Sequence, residues 1–77
     1  MPPTLPPISR VYLDPVTGQE WTLSYSRGSL GHTVRLDPPF GVPVSRVSHN
    51  TPDVGHARRM WRLIEGNIVR QHGLVVA

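Results

Sequence analysis

The stretch TPDVGHARRMWRLIEGNIVRQHG, from Thr51 to Gly73, has a start signal, a sustained period and a stop signal, and its reading decides the fold. Thr51 offers a hydroxyl as N-cap. Pro52 suits the first helical position, where a missing N–H costs nothing, and Asp53 suits the positive end of the helix dipole. Val54, Ala57, Trp61, Ile64 and Ile68 then recur at intervals of three and four, with Met60 alongside. Arg70 and His72 fall in the last turn and Gly73 suits a left-handed exit. The spacing predicts one long amphipathic helix.

At roughly 100° per residue, Val54, Ala57, Met60, Trp61, Ile64 and Ile68 share one side, and Arg58, Arg59, Arg62 and Arg70 share the other. Leu63 breaks the second arc, among Arg59, Arg70, His56 and Asn67. An apolar centre within a charged rim is the pattern of a contact surface, although single exposed leucines are ordinary in globular proteins. Gly66 lies on the same face at a helix-weakening cost of ~1 kcal/mol relative to alanine, either permitting close approach of another backbone or reflecting neutral drift. Trp61 falls on the core side, which argues against base stacking.

Outward from the helix, Arg10 to Leu13 and Gln19 to Ser26 read as a hairpin around Asp14-Pro15-Val16-Thr17-Gly18, a Pro-led turn with a glycine for positive φ. Trp21, Leu23 and Tyr25 share one strand face while Thr22, Ser24 and Ser26 share the other, so the helix is expected over the aromatic face. Arg27-Gly28-Ser29 turns the chain into a third strand, Leu30 to Leu36. Asp37-Pro-Pro-Phe40-Gly41 is a loop, and Val42 to Val47 reads as a fourth strand weakened by Pro43, with Ser48-His49-Asn50 leading into the helix cap. The apolar tail, Leu74 to Ala77, is expected to be ordered by packing or by adding a short strand. The expected class is α+β: an antiparallel meander of three to four strands with one long C-terminal helix across one face. Residues 1–9, with four prolines and no periodicity, read as an extended arm before a single domain over residues 10–77.

Seventy-seven residues are near the size at which one core is marginally stable, and with Met1 in place they read as one complete small domain. With no cysteine, the chain is expected to fold on packing alone or with a partner and to reside in the cytoplasm of a bacterial host cell. No apolar run approaches a membrane span. All eight basic residues are arginine, against five acids. The guanidinium fork suits carboxylates and phosphates, so acidic partners are favoured, and a GC-rich genome would produce the same composition. A net charge of +3 does not demand nucleic acid.

Known reaction motifs are absent. His32, His49, His56 and His72 lack paired ligand spacing, Glu20 and Glu65 are isolated in sequence, and no Walker loop, GxSxG elbow or HExxH is present. No enzyme, cofactor or metal is expected. Gly28-Ser29-Leu30-Gly31 has the GxxG spacing of the KH-domain clamp, but between strands and not between helices. Tyr12-Leu-Asp14-Pro15-Val-Thr17-Gly18-Gln-Glu-Trp21 resembles the start of the DNA-binding domain of the histone-like nucleoid-structuring family, where a Tyr, an Asp-Pro-x-Thr-Gly turn and a Trp recur at similar spacing. In that family a short arginine-glycine loop follows and enters the minor groove, whereas here Thr22-Leu-Ser-Tyr-Ser26 precedes Arg27-Gly28. The resemblance therefore implies the hairpin without its reading loop.

In size, composition and layout the chain is similar to the small accessory inhibitors of phages and prophages, of which anti-CRISPR proteins are the best-known type. That resemblance implies a non-enzymatic binding module acting on a larger host protein or nucleoprotein complex with an acidic surface. The expected contact set is Arg59, Arg62, Leu63, Gly66 and Arg70. The alternative is DNA or RNA binding through Arg27, Arg35, Arg46 and Arg58, and a second copy of the chain is a further candidate partner.

Overall fold

The computed structural model describes residues 9–29 and 31–77, so the expected arm through residue 8 and the expected strand start at Leu30 lie outside the described residues. Strand β1 (Ser9–Leu13) pairs antiparallel with β2 (Glu20–Gly28), and Tyr12 stands opposite Trp21. Ser9, expected to end the arm, already belongs to this ladder. The intervening turn is built by Asp14, whose Oδ1 accepts from the N–H of Val16 at 2.9 Å and whose carbonyl accepts from Gly18 N–H at 2.8 Å. Gly18 has the positive φ, 75°, that a turn glycine supplies. Strand β3 (Gly31–Asp37) pairs with β2, Val34 opposite Tyr25 and Leu36 opposite Leu23.

The fourth strand differs from the expected Val42 to Val47. Strand β4 is Val47–Thr51, paired with β3 so that Val47 faces Leu36 and Thr51 faces His32. Pro43 has no N–H for a ladder, and Val42 and Val44 are half-buried against the core from a loop instead. In that loop Val42 N–H reaches Pro39 O at 3.4 Å, and Gly41 takes φ 89°.

The displaced strand also moves the helix start. Thr51 is committed to β4, and the following proline favours extended backbone in the residue before it. Asp53 is therefore the N-cap, extended at φ −105° and ψ 118°, and its carboxylate accepts from Gly55 N–H at 2.9 Å. Thr51 Oγ1 instead accepts from Asp53 N–H at 3.2 Å, and Pro52 lies before the cap. Helix α1 runs Val54–His72 and closes on Gly73, left-handed at φ 63°.

The tail forms β5 (Val75–Val76), antiparallel to β1, which completes a five-stranded sheet in the order β4-β3-β2-β1-β5. One face carries Tyr12, Trp21, Leu23, Tyr25, Val34 and Leu36, all buried under Ala57, Trp61, Ile64 and Ile68 of the helix and Leu74 of the tail. The class is α+β, one antiparallel sheet with one helix packed on it. The helix crosses from β3 and β4 near its start to β1, where Tyr12 meets Glu65, and β2, where the Trp21 ring lies 4.7 Å from that of His72. The opposite sheet face presents Thr22, Ser24, Ser26, Thr33, Arg35, Ser48 and Asn50, partly or fully open to solvent.

Candidate contact surface

The outer arc of α1 follows from its phase. With Ala57, Trp61, Ile64 and Ile68 buried, Arg59, Arg62, Leu63 and Arg70 are exposed and Gly66 is half-buried between them. Leu63 keeps 56% of its surface in water. Arg59, Arg62 and Arg70 make no ion pair or hydrogen bond among the described residues. The helix has one acid, Glu65, and it is turned toward β1, so the outer arc is cationic without internal compensation. His56 and Asn67 flank it, both exposed.

Gly66 occupies an opening in that arc. A Cβ built there would meet only the Nη2 of Arg70, at 3.8 Å, an ordinary contact. Gly66→Ala is therefore expected to stabilise the fold by ~1 kcal/mol through helix propensity, read as a rise in denaturant midpoint. Loss of partner binding by this stabilised variant would show that the opening is used.

The second set of arginines is largely engaged. Arg35 Nε lies 3.0 Å from Asp37 Oδ2 and Arg46 Nε lies 2.7 Å from Asp37 Oδ1, so one carboxylate compensates two cations. Arg58, expected on the outer arc, is half-buried and has an interaction of its own. Arg27 is exposed near the end of β2, in the rung with His32 and on the same sheet face as Tyr25, whereas Arg35 stands on the opposite face and Arg46 lies in the loop before β4. These four side chains do not converge on one surface.

Glu65, isolated in sequence, is the acceptor of a three-residue cluster. Its Oε2 accepts from the Tyr12 hydroxyl and from Arg10 Nη1, the latter at 3.1 Å, tying the helix to β1. Burial, reinforced by the bond to the carboxylate, pushes the Tyr12 phenol from 10 up to about 12. A raised folded value means that Tyr12 contributes its full stabilisation below pH 10 and loses it as pH rises toward 12. The midpoint of unfolding is expected to fall across that window, and Tyr12→Phe should remove this component of the slope; midpoints measured from pH 9 to 12 on both proteins check it.

Two features escaped the sequence reading. Phe40, at the tip of the Pro38-Pro39-Phe40-Gly41 turn, is wholly exposed, with its carbonyl 3.5 Å from Gln19 Nε2. Two successive prolines were the available signal, since they stiffen a loop that holds an aromatic in water. The other is a polar cleft beside the β2–β3 turn that needs Asn50 on β4, a residue outside the expected strand Val42 to Val47.

Among the described residues no three His, Asp or Glu side chains gather as a metal site, and no described helix is long and apolar enough to cross a membrane. No family model, curated protein or solved structure matches the chain.

Proposed function

We propose that the chain is a small non-enzymatic binding protein that blocks a larger host protein or nucleoprotein complex through the outer face of α1, in the manner of a phage or mobile-element accessory inhibitor. The observation that carries this reading is the exposed Leu63 set among Arg59, Arg62 and Arg70, three arginines unpaired among the described residues. An apolar anchor ringed by forked cations fits an acidic protein patch with an apolar centre. Direct nucleic-acid binding has weaker support, because Arg35 and Arg46 share Asp37 and Arg58 is engaged.

Leu63→Asp is expected to leave the melting temperature nearly unchanged, since truncating an exposed side chain opens no cavity, and to abolish capture of the partner by placing an unpaired charge in the interface. Capture from host lysate, with and without nuclease, compares this variant with the wild type. Arg62→Glu should weaken the same complex and Arg35→Glu should not. Equal losses from both, with affinity for duplex DNA falling at a log–log salt slope of about −0.9 per phosphate contacted, would transfer the function to nucleic acid.

A further inference from the structure

Strand β4 closes one side of the sheet. It pairs with β3 along all five of its residues, and its other edge receives no backbone hydrogen bond among the described residues. Ser48, His49 and Asn50 are exposed along it. A bare edge is a template for another strand, and folded proteins blunt such edges with charged side chains, prolines, bulges or very short strands. None of these protects β4. Its sequence, Val-Ser-His-Asn-Thr, contains no Asp, Glu, Lys, Arg or Pro, and its register with β3 is unbroken. The strand at the opposite side of the sheet, β5, is only two residues long.

The bare edge is self-complementary. Two β4 strands that pair antiparallel along their whole length have a two-fold axis at the central residue, His49. Val47 then stands beside Thr51 of the second copy, and Ser48 beside its Asn50. Val47, His49 and Thr51 share the helix-side face, as their β3 partners Leu36, Val34 and His32 do, and Ser48 and Asn50 share the other. A β-branched residue therefore meets a β-branched residue on one face, and a hydroxyl meets an amide on the other. Asn50 Nδ2 already donates to Thr33 Oγ1 at 2.8 Å, which leaves its Oδ1 open to the Ser48 hydroxyl of the second copy. Pro52 has no N–H, so the ladder stops after Thr51 in each copy and is bounded alike at both ends. We infer that β4 is a homodimer interface, pairing antiparallel with β4 of a second copy about His49 and joining two five-stranded sheets into one. The interface lies in the sheet, apart from the outer arc of α1, and does not rest on the function proposed for that arc.

A five-residue edge is narrow against the standard protein interface of about 1,600 Å², so the dimer is expected to be weak. Sedimentation velocity on the intact chain, from about 10 µM to about 1 mM, should show monomer giving way to dimer as concentration rises. His49→Lys and His49→Asp each set two like charges opposite one another across the axis, at a position that is exposed in the single chain. Each variant alone should dimerise about tenfold less tightly or worse, and an equimolar mixture of the two should recover the dimer, because Lys then stands opposite Asp. Melting temperatures at the lowest concentration, where every protein is monomeric, establish that each variant is folded. Leu63→Asp should leave self-association intact. A chain that stays monomeric throughout, undiminished dimers in the separate His49 variants, a mixture no tighter than either variant alone, or dimers lost with Leu63→Asp would overturn the inference.

Discussion

Trp21→Ala is expected to cost ~3 to 5 kcal/mol and to leave much of the population unfolded at ordinary temperature. The indole is 2% exposed at the centre of the sheet, with Tyr12 opposite it on β1 and His72 of the helix stacked at a tilt above it. Truncation removes the transfer energy of the ring and leaves a cavity between two layers that are held by backbone pairing and cannot collapse onto each other. For a chain of this length the whole stability is roughly 4 to 11 kcal/mol, so the loss takes a large share of it. Denaturant melts of Trp21→Ala beside Val16→Ala make the comparison, because Val16 is 91% exposed and should move the midpoint little. Equal midpoints for the two variants would mean that the aromatic sheet face packs on nothing.

Gly31→Ala is expected to cost about 3 kcal/mol or more, from two causes acting together. Gly31 opens β3 at φ 117°, a conformation that L side chains rarely adopt. A Cβ there would stand 2.6 Å from the carbonyl oxygen of Thr51 and 3.2 Å from the Cα of Pro52. Both are backbone atoms at the junction of β4 and α1, so relief requires moving the strand end and the helix cap and not one flexible side chain. Gly28→Ala, across the hairpin pair from Gly31, has no atom within 4 Å and no left-handed φ, and is expected to be nearly neutral. Thermal melts of the two variants give the contrast. With Gly66→Ala stabilising, one substitution takes three different values on three glycines, and the surroundings of the Cβ decide which.

The candidate surface divides in the same way between what is local and what is distant. The exposure of Leu63, Arg59, Arg62 and Arg70 was readable because helical phase depends only on the spacing of Ala57, Trp61, Ile64 and Ile68. Pairing of the other arginines was not readable. Asp37 collects Arg35 from its own strand and Arg46 from the loop, and Glu65 collects Tyr12 and Arg10 from more than fifty positions away, so their availability for a partner is set by sheet geometry. The polar cleft is more remote still, since it exists only where β2, β3 and β4 lie side by side.

The sequence by itself determined the Asp14 to Gly18 turn, the alternation of Trp21, Leu23 and Tyr25, the helical period from Val54 to Ile68 and the stop at Gly73. Each is a short-range preference of backbone and side chain that needs no distant residue. Tertiary structure decided that β4 would be Val47–Thr51, that the cap would pass from Thr51 to Asp53, and that Val75–Val76 would pair with β1. The segment Val47–Thr51 has little strand character of its own. It becomes one because β3 presents unpaired N–H and C=O groups beside it, and Pro43 and Pro52 leave little other stretch free to satisfy them.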